Sequence, residues 1–374
     1  MADRVVLHVG TPKTGTSMVQ DMLARNDETL RSHGVLVPGD AYDHQYRAGL
    51  DLLDEADDDG RGTWDRLAAR VRRHRGTAVL SNEILTRASD AQIARAGDSF
   101  GDAEVDIVIT VRDLGRQIPS GWQEAVKHRA RLPFAKFVAE LRAEHPTRHA
   151  ARGFWEVQSW PDAAQRWAAI TSPSRVHIVT VPPSAADPAL LRERVLEAMG
   201  IDQEWVPEAP RRDNTRLGAA EAKVLRGINR RVRPEVLGPG QYAEFVRERL
   251  VRDLAERAEE PIRIRLPPSA HGWAAELSRR WIEDVRLRGY AVVGDLAELE
   301  PTRYDDWTDP DAIAPEVELV AANATIDALL AAQVAEREQN VDRFYEIARA
   351  YARRRAGRLR VVRSVLNARS KLRR

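Results

Sequence analysis

The residues best equipped for chemistry begin at Gly10-Thr11-Pro12-Lys13-Thr14-Gly15-Thr16-Ser17. One ammonium group and several hydroxyls are packed into a loop framed by two glycines. Backbone N–H groups at a helix start, with a cation nearby, form a cradle for phosphate-like anions. Gly10 and Gly15 occupy the glycine positions of the nucleotide-binding pattern G-x-x-x-x-G-K-[ST], but Thr16 stands where that pattern has its lysine. The lysine is displaced to position 13. Such a loop keeps the anion cradle and loses the cation that reaches the β- and γ-phosphates of ATP. A second anion-directed residue, Arg112, follows the apolar run Val105–Val111. A guanidinium takes phosphate oxygens in pairs.

These residues need a scaffold that brings them together. Strand-like runs fall at 4–9, 77–81, 105–111 and 175–181, and Tyr290–Asp295 reads as a short strand or an extended approach to Leu296. Helical patterns are read at 16–33, 63–74, 90–99, 115–129, 133–144, 156–170, 189–199, 218–233, 241–259, 271–288 and 316–356. Strands alternating with helices predict an α/β fold with a central parallel sheet covered on both faces. Ligands bind such sheets beyond the carboxyl ends of the strands. The chemistry-bearing residues follow strands in this chain. The segments 38–62 and 130–155 read as variable loops suited to contacting a second substrate.

The stretch from His8 to Ser17 resembles the 5′-phosphosulfate loop of sulfotransferases that use 3′-phosphoadenosine 5′-phosphosulfate (PAPS), in particular bacterial, actinobacterial-like members acting on carbohydrates or small molecules. The resemblance covers about residues 1–300, with specific motifs at 8–17 and 112–120 and a partial match at 81–83. It implies a P-loop-like sheet and a PAPS co-substrate held without metal. Lys13, Thr14, Gly15, Thr16 and Ser17 would bind the 5′-phosphosulfate. Arg112 and Ser120, eight residues apart, would hold the 3′-phosphate. Arg211 and Arg212 would close over the nucleotide's 3′ end, although the stretch around them matches only loosely. Glu83, in Ser81-Asn82-Glu83, matches the post-strand position of the catalytic glutamate in carbohydrate sulfotransferases. A carboxylate half-buried in a cleft has the raised pKa that suits a general base. His8 is the rival base, and alternation along its strand reads it more readily as a supporting residue. Trp122 replaces a tyrosine common in the family two residues after the serine. It is read as core packing or as an acceptor contact, with Gln123 and Glu124 nearest the acceptor cleft. Trp155 is the tryptophan best placed to touch substrate, since Trp160 and Trp167 repeat one helix face as core residues do.

Composition narrows the functional classes. With 374 residues, 43% hydrophobic and 31% charged, the chain has length and apolar content for a large core. It has no cysteine, which removes disulfides, thiolate catalysis and cysteine metal sites. No metal-binding motif is present, so no metal is expected. The few apolar residues before Gly10 are too short for a signal peptide or a membrane span, and a cytoplasmic protein is expected. Of the 58 basic residues, 11 lie in Arg349–Arg374, which has no acidic residue; the other 47 face 57 acidic side chains. An acidic body argues against nucleic acid as partner. The basic amphipathic tail suits an anionic membrane surface, at the inner membrane face, or equally the protein's own acidic body. Three regions are expected: an α/β unit over 1–300, mainly helical from 205 to 300; a helical extension over 301–348; and the tail over 349–374. The function that fits is sulfuryl transfer to a hydroxyl of a carbohydrate, glycolipid or small metabolite. A nucleoside or small-molecule kinase, or a non-catalytic nucleotide-binding scaffold with a membrane- or partner-binding tail, are the alternatives.

Overall fold

The structure is a computed structural model that describes residues 2–39, 42–187, 189–208, 217–257, 261–331 and 333–334. Arg211, Arg212 and the basic tail lie outside the described residues. Six strands form one parallel sheet: β1 (Arg4–His8), β2 (Val35–Leu36), β3 (Thr77–Ser81), β4 (Glu104–Val111), β5 (Val176–Thr180) and β6 (Ala291–Val293). Their order is β2-β3-β1-β4-β5-β6. From β1 the chain winds to the β2–β3 side, then jumps back over β1 to β4. The connections leaving β1 and β4 therefore diverge, and in sheets of this kind ligands bind at the carboxyl edge where they do so.

Strand chemistry explains the central position of β1 and β4. Both are apolar on both faces, as a strand covered on two sides must be. Val5, Leu7, Ile107 and Ile109 point into one core, shared with Trp64, Trp167 and Phe100. Val6 and Val108 point into the opposite core, beneath Val19, Met22 and Leu23 of the Thr16–Arg25 helix and Val195, Leu196 and Met199 of the Ala189–Met199 helix. One charge breaks this pattern. Asp106 is buried in β4 and neutralised by Arg4 Nε at 2.6 Å, Arg175 Nη1 at 3.0 Å and His177 Nε2 at 3.0 Å. A third core joins the Leu114–Lys127 helix to the Phe134–Leu141, His149–Gln158, Ala219–Arg231 and Pro268–Arg288 helices.

Several elements differ from the sequence expectation. The 16–33 pattern is two helices, Thr16–Arg25 and Asp27–Ser32. Asn26 interrupts them, and its amide Nδ2 bonds the Met22 and Glu208 carbonyls. The 156–170 pattern likewise divides at Ser159, before Pro161. The expected loop at 38–62 contains the helix Tyr42–Leu52, and the one at 130–155 contains the start of His149–Gln158 besides the Phe134–Leu141 helix expected at 133–144. The two-residue strand β2 is too short to carry a periodic signal. Among the described residues, no helix is long and apolar enough to cross a membrane.

Candidate functional site

Register sets the height of each site residue. His8 of β1 pairs with Ser81 of β3 and with Val108 of β4. Gly10 and Glu83 therefore leave the sheet at the same level, each two residues past a paired position. β4 runs three residues further, carrying Arg112 about 7 Å above Thr110, at ~3.3 Å per strand residue. The β1 ladder continues into the loop: Thr110 N donates to Gly10 O at 2.7 Å, and Thr11 N donates to Thr110 O at 3.0 Å. The loop is thus pinned to β4 before it turns.

The two glycines are there for space as well as conformation. Gly10 has φ +115°, and a Cβ on it would overlap the Thr86 hydroxyl. Gly15 has φ +96°, and its Cβ would lie 2.6 Å from Leu191 Cδ2. At both positions the positive φ strains any residue with a side chain, and at Gly10 the buried Thr86 also blocks it. Gly15 ends the loop as N-cap of the Thr16–Arg25 helix, with no side chain capping it and no acidic residue in the first turn. An uncapped helix start of this length directs N–H donors and positive partial charge outward.

The loop hydroxyls divide by direction. Thr14 is buried and turned inward, its hydroxyl bonded to Thr11 O and the Thr110 hydroxyl. It braces the loop. Thr16 is also buried and donates its hydroxyl to Glu83 Oε2. Ser17 is exposed on the first helical turn. Lys13 takes the left-handed conformation with φ +69°, which is uncommon for a residue with a side chain. Its Nζ lies 2.6 Å from Glu124 Oε2, and its carbonyl accepts from Arg112 Nη1 at 3.3 Å.

Glu83 opens the short 3₁₀ turn Glu83–Arg87, capped by the Asn82 side chain. The turn is held from below. Gln45 of the Tyr42–Leu52 helix accepts from Ser81 N through its side chain, and its carbonyl accepts from Asn82 Nδ2, both at 2.8 Å. Burial pushes the Glu83 carboxyl above its ordinary range. The Thr16 hydroxyl and the Lys13 charge pull partly back, and the charge of Glu124 pushes with burial.

The Leu114–Lys127 helix supplies the far wall, its start capped by Asp113 accepting from Arg116 N at 2.9 Å. Gln117, Ser120 and Glu124 recur on one stripe. The stripe faces the loop, since Gln117 Nε2 donates to Pro12 O at 2.7 Å and Glu124 pairs with Lys13. Ser120 lies between them, half-buried. Burial acts to raise Glu124, but its hydrogen bond with His128 and the charges of Lys13 and Lys127 outweigh it and hold the carboxyl well below its usual range. Arg116 is committed elsewhere: it pairs with Asp113 and donates to Pro182 O at 2.7 Å and Val181 O at 3.0 Å.

The remaining residues singled out in the sequence have other surroundings. His8 is buried between the Ser81 hydroxyl at 2.8 Å and the Thr110 hydroxyl at 3.2 Å, and burial lowers its pKa to about 4. It is neutral at pH 7, with both ring nitrogens engaged beneath the loop. Trp122 is fully buried, donates its indole N–H to Leu132 O at 2.9 Å and packs on Phe134. Gln123 donates to Leu217 O at 2.5 Å. Trp155 is half-buried among Phe154, Trp273 and Trp281. Lys13, Glu124 and Arg112 therefore form one contact group, Thr16 and Glu83 form a second that feels the charges of Lys13 and Glu124, and Trp122 and Trp155 belong to the third core. Gln117 and Gln158, whose Nε2 groups both donate to Pro12 O, escaped the sequence reading. The stripe shared with Ser120 was a signal for Gln117. Gln158 carried none, being 146 residues from its partner.

No family model matches the sequence, and no curated protein matches it. Among solved structures, the chain is similar to the crystal structure of a sulfotransferase from Alicyclobacillus acidocaldarius. The two share 17% sequence identity over 61% of this chain and 93% of that one, with a TM-score of 0.38.

Proposed function

We propose that this chain is a PAPS-dependent sulfotransferase acting on a hydroxyl-bearing carbohydrate, glycolipid or small metabolite. The observation that carries this reading is the contact of Arg112 Nη1 with the Lys13 carbonyl at 3.3 Å. It joins an uncapped helix start, a loop cation and a strand-end guanidinium along one rim. The donor set fits a nucleotide anionic at both ends. Backbone N–H groups of Thr14 to Ser17 and the Lys13 ammonium would hold the 5′-phosphosulfate, and Arg112 with Ser120 the 3′-phosphate.

The same residues support the chemical step. Thr16 holds Glu83 through Oε2, which fixes the carboxyl beside the helix start. Glu83 accepts the acceptor hydroxyl's proton as that oxygen bonds to sulfur and the bond from sulfur to the bridging phosphate oxygen breaks. Lys13 offsets the charge on that departing oxygen. As in phosphoryl transfer, catalysis rests on positioning and electrostatics.

The test is thermal stabilisation by 3′-phosphoadenosine 5′-phosphate, compared with ATP with and without magnesium. A ligand at 100 times its Kd stabilises by about 2.7 kcal/mol. The expected result is a shift with the 3′-phosphorylated nucleotide that needs no magnesium. A shift with magnesium-ATP alone would favour the kinase, and Lys13→Ala leaving function intact would favour the scaffold.

A further inference from the structure

Glu124 is the anion nearest to the loop's cation, with Oε2 at 2.6 Å from Lys13 Nζ. It also has two partners on its own helix, His128 Nε2 at 3.2 Å and Lys127 Nζ at 3.6 Å. Any anion arriving at the start of the Thr16–Arg25 helix competes with Glu124 for the same ammonium. That competition is biased toward release. A half-buried carboxylate stripped of its only cation would hold that cation tenaciously. Glu124 loses Lys13 and keeps His128 on Oε1 and the Lys127 ammonium 3.6 Å from Oε2, so its charge is still partly offset after the exchange. The lysine backbone need not move, because its carbonyl stays tied to Arg112.

Resting on the nucleotide reading above, we infer that Glu124 is a positioning residue that holds the Lys13 ammonium beside the start of the Thr16–Arg25 helix and yields it to the incoming phosphosulfate. Three consequences follow. The free loop keeps its lysine side chain ordered beside the helix start. The nucleotide binds more weakly than the donor set alone would allow, because it must displace an internal anion. Glu83 also feels Glu124, whose charge acts with burial to hold the candidate base above its ordinary range.

The test is calorimetric titration of 3′-phosphoadenosine 5′-phosphate into five proteins: the wild type, Glu124→Gln, Glu124→Asp, Lys13→Met and the Glu124→Gln/Lys13→Met double variant. Removing the competing carboxylate should tighten binding about fivefold, the worth of a partly exposed ion pair. With Lys13 already gone, the same substitution should change affinity less than about twofold. Glu124→Asp keeps the charge on a shorter arm and should fall between wild type and Glu124→Gln. It also supplies the comparison if the glutamine variant folds poorly. Equal tightening in both lysine backgrounds would mean a general charge effect and would overturn the inference. So would unchanged or weaker binding by Glu124→Gln. Binding to the wild type without such tightening overturns this inference alone. Failure of the nucleotide to bind the wild type and Glu124→Gln alike overturns the nucleotide reading together with it.

Discussion

Gly10→Ala tests whether the loop's geometry is dictated by the turn beneath it. The added methyl meets two obstacles. Gly10 has φ +115°, where a residue with a Cβ is strained by about 1–2 kcal/mol. The methyl would also overlap the Thr86 hydroxyl, whose proton is shared between Val9 O at 2.6 Å and Glu83 O at 2.7 Å. Thr86 is buried and cannot turn aside without abandoning both carbonyls. Glu83 O itself lies 3.1 Å from the new Cβ, so the backbone below offers no room. Overpacking of this kind costs about 1–3 kcal/mol, for a sum of about 2–5 kcal/mol. With unfolding entropy near ~2.1 cal/mol/K per residue over 374 residues, the melting temperature should fall by about 3–6 °C. The assay is thermal and urea unfolding of Gly10→Ala, Thr86→Ala and the pair. Thr86→Ala opens the space and leaves the backbone strain, so Gly10→Ala should cost about half as much in that background. A loss below about 1 kcal/mol, or the same loss with Thr86 removed, would refute the steric argument.

Other substitutions separate the roles of the charged groups. Lys13→Ala should lower turnover by about 10²–10³ with the fold intact, as removal of one transition-state donor does, measured as kcat with circular dichroism as control. Glu83→Gln should lower kcat by about 10²–10⁴. Because burial raises the folded-state pKa of Glu83, this residue adds stability only below the ordinary carboxylate range, and that stability is lost as pH rises through the raised value. Glu83→Gln should therefore melt higher than wild type at pH 8 and show no such gain at pH 4. Burial acts to raise Asp106, but His177, Arg4 and Arg175 outweigh it and lower its pKa. Its contribution is therefore present above the ordinary carboxylate range and fades as pH falls. Asp106→Asn should cost about 3 kcal/mol at pH 7 and less at pH 3, by urea unfolding at the two pH values.

Much of the scaffold was legible locally. β3 matches its expected bounds, and β1, β4 and β5 lie within a residue of theirs at each end, because strands buried on both faces announce themselves as short β-branched runs. Helix interruptions were not legible. Periodicity runs through Asn26 and Ser159, and the breaks depend on what those side chains and Pro161 meet in the folded chain. The helix Tyr42–Leu52 was hidden because polar residues and Gly49 interrupt its few apolar side chains. Its role is to present Gln45 to the Glu83 turn, a contact made across 37 residues.

The candidate site divides along the same line. The sequence alone established that Gly10 and Gly15 frame a loop with its lysine at position 13, and that Glu83 and Arg112 each leave a strand at its carboxyl end. Those facts are local: residue type, spacing and a two-residue or 3.6-residue repeat carry them. Only the tertiary structure decided that His8 is sealed beneath the loop, that Thr14 braces it while Thr16 reaches Glu83, and that Lys13 rests on Glu124. Each of these depends on the order β3-β1-β4 and on the register between those strands. Strand order is set by crossover connections and by the burial of two cores, and neither is written within reach of any single segment.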